Sequence, residues 1–358
     1  MSFEKYKDNG LSGLTNLGNT CFLNAIMQVL SHTYELNNYL DIKTYKKHLN
    51  NKYESALLIE WDELRCLLWK ENCIVSPYKF VNTVHKLAQI KGLDMFTGFN
   101  QNDLPEFLIF VIDCFHTSIS REVKMTITGK VCHDTDKIAL KCFEHVKQIY
   151  EKDYSEIWKI FYGIHVSMLE KVSNGDKIST VPEPFFIINL PIPTTIEKPT
   201  LIDCFNLYVE GEILDGDNCF TLDDTKEKIE VKKTIMFWSF PDILVIDIKR
   251  FETNNLINKY KYKNNKFVSH KNQIMIDFPL ENLNLSEYVL GYNKESYVYD
   301  LYGVCNHIGT ANLGHYTSFV KNANDKWYYY NDEKVIEVTN IQQIITPNAY
   351  CFFYRKRK

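Results

Sequence analysis

Apolar residues recur at helical spacing through the first half of the chain and alternate at strand spacing through the second. After Cys21, the residues Phe22, Ala25, Ile26, Val29 and Leu30 fall on one face of a helix. Asn19 or Thr20 is placed to cap that helix, and nearby glycines permit a sharp lead-in turn. Glu54 to Lys70 sets Leu57, Leu58, Trp61, Leu64, Leu67 and Leu68 on one face of another. Ser76-Pro77 opens a third, since serine caps well and proline is tolerated in a first turn. Asp103-Leu104-Pro105-Glu106 starts a fourth, with Asp103 as N-cap and Glu106 closing a capping box. Asp136 to about Phe161 reads as mostly helical. From Phe185 onward the pattern predicts strands: Phe185 to Leu190, Ile229 to Trp238, Ile243 to Ile248, Tyr297 to Val304, and a terminal pair. A helical half followed by a sheet-rich half predicts an α+β protein with its cleft between them.

Composition narrows the function. The 358 residues are 45% hydrophobic and 14% aromatic, enough to bury a large core in one large or two ordinary domains. No linker, repeat or low-complexity stretch marks an extra domain. The net charge is −4 with acids and bases mixed, which argues against a nucleic-acid partner. Arg355-Lys356-Arg357-Lys358 is a short basic tail, read as solvated. No apolar run approaches the roughly 18 residues of a membrane span, and Met1 to Gly10 lacks the apolar core of a secretion signal. Ten cysteines without disulfide-like spacing point to a reducing compartment, cytoplasm or nucleus. A monomer is expected.

Two distant segments carry chemistry. Cys21 stands at a helix N-terminus, where backbone N–H groups and the dipole favour a thiolate. Taken alone, a cysteine before an apolar helix is usually a small core residue. Near the C-terminus, His315 precedes an alternating strand, Tyr316, Ser318, Val320. Lys326 to Tyr330 reads as its partner strand, with Asn322 to Asp325 as the turn and Asn331 and Asp332 at the far end. A Cys/His pair oriented by Asn or Asp activates a thiol for acyl transfer. A lone histidine in a tyrosine-rich sheet is also compatible with a hydrogen-bonded core residue.

Taken together, these segments resemble the ubiquitin-specific proteases. Gly13-Leu14-Thr15-Asn16-Leu17-Gly18-Asn19-Thr20-Cys21-Phe22-Leu23-Asn24-Ala25 resembles that family's cysteine box. Gly314-His315-Tyr316 and Trp327-Tyr328-Tyr329-Tyr330-Asn331-Asp332 resemble its histidine box. Gln101-Asn102-Asp103-Leu104-Pro105-Glu106-Phe107-Leu108 is similar to its Gln-rich acidic motif, and Ile243 to Phe251 to its Leu-Lys-Arg-Phe strand. Phe278-Pro279-Leu280 and Tyr302 to His307 have counterparts in the same order.

The resemblance implies a papain-like hand of thumb, palm and fingers: one catalytic domain over 10–356, with a mainly helical thumb over 10–118 and palm and fingers over 119–356. It implies Cys21 as nucleophile, His315 as general base and then acid, and Asn16 as oxyanion donor beside the Cys21 N–H. The residue orienting His315 falls on Asn331, with Asp332 as a substitute able to supply charge. Asp103, with Glu106 and Gln101 from the same motif, would bind the extended tail of ubiquitin, and Gly314 would wall a narrow tunnel. Leu104-Pro105 departs from the family's usual small-then-polar pair. Many members bind zinc at the finger tips through two Cys-x-x-Cys pairs. Here the corresponding stretches, Met168 to Val172 and Thr221 to Thr225, hold no cysteine and Cys219 stands alone, so no metal or other cofactor is expected. Cys142 and His145 read as ordinary helix residues. The acidic run Glu210, Glu212, Asp215, Asp217, Asp223 and Asp224 suits either a basic face of ubiquitin or plain solvent. The implied activity is thiol-dependent hydrolysis after the C-terminal glycine of ubiquitin. An inactive ubiquitin-binding scaffold and a protease for a ubiquitin-like modifier are the alternatives.

Overall fold

The computed structural model describes residues 3–98, 100–222, 224–253, 269–310 and 313–358. Its centre is the helix Cys21–Ser31, in which every residue is buried. The sequence pattern predicts one apolar face, and the structure covers the polar face as well. Protein partners therefore replace water: Gln28 Nε2 donates to Ser12 O at 2.8 Å and Ser31 Oγ to Gln28 O at 2.9 Å.

The helices Tyr34–Asp41, Ser55–Lys70, Tyr78–Lys91 and Leu104–Ile119 make up the helical side with it. Leu57, Leu58, Trp61, Leu64 and Leu68 face the core as expected, but Leu67 is exposed. Arg65 turns inward, its guanidinium held by Asp41 at 2.8 Å and Asp62 at 2.7 Å. After Ser76, Pro77 itself occupies the N-cap, and Gly92 ends that helix in the left-handed region at φ 69°. At Leu104–Ile119 the capping box is only half formed. Asp103 accepts the Glu106 N–H at 3.2 Å, while the Glu106 side chain stays in solvent. The helix expected over 136–161 is two, Asp134–Asp153 and Glu156–Phe161. An extended Tyr154 bridges to Arg121 between them, and Ser155 caps the second by accepting the Trp158 N–H at 3.2 Å. Cys142 and His145 lie within Asp134–Asp153.

The second half builds the large sheet. Its order is Lys334–Glu337, Trp327–Asn331, Gly314–Lys321, Val298–Gly309, Ala349–Lys356, Ile243–Ile248, Ile187–Leu190, with Leu283–Asn284 paired onto Val298–Gly309. All pairings are antiparallel except Ile243–Ile248 with Ile187–Leu190. One face packs on the Cys21 helix and its neighbours through Val245, Tyr302, Cys305, Tyr316, Val320 and Phe353. The other covers a second core with the helix Leu201–Glu210, through Leu244, Ile246, Val304, Phe319 and Phe352. Such two-sided burial is why Ile243–Ile248 reads as a continuous apolar run broken only by Asp247.

A separate four-stranded sheet, Lys177–Phe185, Gly163–Lys171, Val231–Ser239 and Glu212–Leu214, packs against Asp134–Asp153 around Cys142, Trp158 and Trp238. Met168 to Val172 ends one of its hairpins, and Thr221 belongs to the small Phe220–Thr221/Lys228–Ile229 pair, opposite Lys228. These residues do not fit a tetrahedral thiolate zinc site, since neither stretch supplies a cysteine thiolate and Cys219 alone cannot close one. Of the acidic run, Asp223 lies outside the described residues; Glu210, Glu212, Asp215, Asp217 and Asp224 are exposed.

Candidate active site

The loop into the Cys21 helix is wound around one side chain. The Asn16 Oδ1 accepts the N–H groups of Gly18 at 3.0 Å and Thr20 at 3.2 Å. Thr20 occupies the N-cap but does not cap through its hydroxyl, which accepts the Leu17 N–H at 3.0 Å. Asn19 takes the left-handed conformation, φ 55°, which asparagine tolerates better than most residues. Cys21 then begins the helix with its thiol buried against the neighbouring strand. Burial pushes the thiol pKa up, and the charge of Asp332 adds to this. The backbone N–H groups of Tyr316, Phe22 and Cys21 itself work in the opposite direction. The Tyr316 amide on the sulfur puts Cys21 one residue from His315, although 294 positions separate the two in the chain.

His315 lies on Gly314–Lys321, beside Trp327–Asn331 in the sheet. Its Nε2 meets Asn331 Oδ1 at 2.8 Å. An amide oxygen only accepts, so Nε2 carries the proton and Nδ1 keeps a free lone pair. Asp332 does not join this bond. One of its carboxylate oxygens takes Asn16 Nδ2 at 2.9 Å and the other takes Asn24 Nδ2 at 2.8 Å. Its backbone is left-handed, φ 49°, and its carbonyl accepts the Leu14 N–H at 2.9 Å. This turn presses on Gly13, where a Cβ would stand 2.2 Å from Glu333 O, so no larger residue fits.

Beyond His315 a second set of groups gathers on Gly314. Gln101 grips the Gly314 backbone from both sides: its Nε2 donates to Gly314 O at 2.7 Å and its Oε1 accepts the Gly314 N–H at 2.8 Å. A Cβ on Gly314 would meet His307 Nε2 at 2.0 Å. His307 is buried, and burial with the nearby Lys271 lowers it to about 4, so its ring is neutral. Asp103 accepts the Tyr350 hydroxyl at 2.8 Å as well as its capping bond. Burial raises the Asp103 pKa despite both bonds. Asp247, almost wholly buried on the same side, is held well above the usual carboxylate range by burial and then by Asp103. Glu106 is exposed one helical turn along.

Known proteins settle the relationship. The model of one family, described as ubiquitin carboxyl-terminal hydrolase, matches residues 12–354. The chain belongs to that family. It is 32% identical over 351 residues to human ubiquitin carboxyl-terminal hydrolase 2, covering 96% of this chain and 55% of that protein. The chicken protein of that name is 33% identical over 351 residues, covering 96% and 93%. Human ubiquitin carboxyl-terminal hydrolase 21 is 30% identical over 372 residues, covering 97% and 62%. The chain spans about half the length of the bovine, rat and human hydrolase 2 proteins it matches. Among solved structures, the Ubp8-containing SAGA DUB module bound to monoubiquitin superposes with a TM-score of 0.72 at 22% identity, over 100% of this chain and 71% of that one. The same module bound to ubiquitin aldehyde gives 0.71 at 23% identity, with the same coverage. The papain-like α+β expectation therefore holds for the fold.

Within this family member, the structure brings Cys21, His315, Asn331, Asp332 and Asn16 together and sets Gln101 on Gly314 and Asp103 on Tyr350. Glu106 stands apart, facing solvent. Sequence reasoning missed Asn24, His307 and Tyr350. Periodicity gave no signal for Asn24, because it lies with Gln28 and Ser31 on the polar face of a helix that the structure buries on all sides.

Proposed function

We propose that this chain is a deubiquitinase that hydrolyses the bond after the C-terminal glycine of ubiquitin through an acyl-enzyme on Cys21. The observation carrying this reading is that the Tyr316 amide meets the Cys21 sulfur while the preceding residue, His315, bonds Asn331. Because burial and Asp332 favour the protonated thiol, Cys21 needs a local base, and His315, one residue before the Tyr316 amide on the sulfur, supplies it through Nδ1. The proton passes from Sγ to Nδ1 and the sulfur attacks the scissile carbonyl. Asn16 Nδ2 and the Cys21 N–H meet the resulting oxyanion. As the intermediate collapses, the C–N bond breaks and His315 returns the proton to the leaving amine. Water, deprotonated by His315, then cleaves the thioester and frees the thiol.

Asn331 orients the imidazole by hydrogen bonding, while Asp332 holds Asn16. Asp103 receives the basic, extended tail of ubiquitin, and Gly314, fixed by Gln101 against His307, leaves room only for residues without side chains. The solved neighbours bound to monoubiquitin and to ubiquitin aldehyde support ubiquitin as the ligand. The fingers hold together by strand pairing and packing, and the protein works as a monomer in a reducing compartment of the cell. The test is release of aminomethylcoumarin from its C-terminal amide with ubiquitin. Turnover abolished by Cys21→Ala supports the reading; no turnover by the unsubstituted chain overturns it.

A further inference from the structure

Asn24 sits one helical turn after Cys21 and is only 2% exposed. Its Nδ2 donates to Asp332 Oδ1 at 2.8 Å, and to Leu14 O and Thr15 O at longer range, 3.4 Å each. Its Oδ1 is buried without a hydrogen-bond partner. Leaving an amide oxygen unpaired in the interior costs stability, so packing alone does not account for an amide here. What the amide does accomplish is geometric. Asp332 offers two carboxylate oxygens; Asn24, inside the helix, takes one, and Asn16, at the cleft surface, takes the other. The Asn16 Oδ1 is already fixed by the Gly18 and Thr20 N–H groups. With one Nδ2 hydrogen on Asp332, Asn16 has a single hydrogen left to donate, and its direction is set by where Asp332 stands.

We infer that Asn24 is a positioning residue for the reaction: by anchoring Asp332 from the nucleophile's own helix, it aims the free Asn16 N–H at the oxyanion. The relay Asn24–Asp332–Asn16 bypasses His315, which has its own partner in Asn331. It couples the oxyanion donor rigidly to Cys21, because the anchor and the nucleophile share one helix. The inference rests on Cys21 and Asn16 acting as proposed above.

The relay makes three linked demands. Asn24→Ala lowers kcat for ubiquitin–aminomethylcoumarin by about ten- to a hundredfold, less than the roughly 10²–10³ lost with a whole oxyanion donor. KM, and ubiquitin affinity measured in the Cys21→Ala background, stay within twofold. The pH profile of Cys21 alkylation by iodoacetamide moves much less in Asn24→Ala than in Asp332→Asn, since the carboxylate keeps its charge and only its aim is lost. In an Asn16→Ala background, Asn24→Ala costs less than about threefold more, because the relay no longer has an end. Should Asn24→Ala fail to fold, Asn24→Asp supplies the same reading: it is near-isosteric and sets like charges against Asp332. Losses that add fully to those of Asn16→Ala, or a wild-type kcat in either folded variant, overturn the inference. An unsubstituted chain that leaves ubiquitin–aminomethylcoumarin intact would instead overturn the hydrolase reading itself.

Discussion

The imidazole of His315 meets the amide oxygen of Asn331 at 2.8 Å, while the carboxylate of the next residue, Asp332, turns to Asn16 and Asn24. Two neighbouring residues thus serve two different parts of the reaction. Asn331→Ala lowers kcat by about ten- to a hundredfold, a fraction of the roughly 10²–10⁴ that general acid–base catalysis contributes, and it changes the pH profile of kcat/KM. Asp332→Asn also slows hydrolysis, yet it shifts iodoacetamide alkylation of Cys21 to lower pH. The sign follows from the charge: Asp332 raises the thiol pKa, so neutralising it favours the thiolate. Alkylation that moves to higher pH, or stays put, contradicts the placement of that charge.

Gly314 has no room for a methyl group, because a Cβ would lie 2.0 Å from His307 Nε2. Either His307 or the strand carrying His315 must move. Gly314→Ala therefore costs about a hundredfold in kcat/KM, the scale of a 1 Å misplacement near reacting atoms. Gln101→Ala leaves both the N–H and the carbonyl of Gly314 without their present partner and raises KM more than it lowers kcat. Steady-state kinetics on ubiquitin–aminomethylcoumarin check both variants.

Asp103 binds a basic tail only when ionised, and burial raises its pKa. The folded carboxylate thus takes up a proton at higher pH than an ordinary one. Ubiquitin affinity weakens on acidification from above the usual carboxylate range, whereas Asp103→Asn binds about tenfold more weakly at neutral pH, the order of one charge-assisted bond, with that limb of the profile flat. Calorimetry in the Cys21→Ala background measures both.

How much of this was readable from the chain depends on the length scale of the interaction. Helix starts at Cys21 and Leu104 and the strands Gly314–Lys321 and Trp327–Asn331 are written in local periodicity and capping, and they were legible. The inward turn of Arg65 was not, because its partner Asp41 lies on another helix. The split at Tyr154–Ser155 was missed because a Ser cap inside a long polar-apolar repeat looks like continuous helix. At the site, residue types and order pointed to Cys21, His315 and Asn331. The division of labour between Asn331 and Asp332 stayed open, since it depends on a left-handed turn at Asp332 and on Asn24 reaching across 308 positions.

Two buried histidines tie stability to pH. Burial lowers His32, packed between Trp69 and Tyr330, to about 4, and His307 likewise to about 4. The unfolded chain protonates each near 6.5, so unfolding takes up protons between those values. The histidines' contribution to stability is fully present above pH 6.5 and is lost as pH drops toward 4, about 3 kcal/mol for each. Urea unfolding at pH 7, 5.5 and 4.5 reads this slope, and His32→Gln flattens about half of it. Asp103 and Asp247, raised by burial, work against the histidines as pH falls, so the decisive reading is the difference between variants: a slope that His32→Gln leaves unchanged contradicts the neutral, buried state of that ring.

The central claim is that Cys21, activated by His315, attacks the carbonyl end of ubiquitin. Ubiquitin carrying a C-terminal propargylamide tests it in one step, with mass spectrometry of the product after proteolysis. The account requires a one-to-one adduct joined through Cys21, absent in Cys21→Ala and much slowed in His315→Ala. An adduct on any other cysteine, or an unsubstituted chain that binds ubiquitin without forming one, would contradict it.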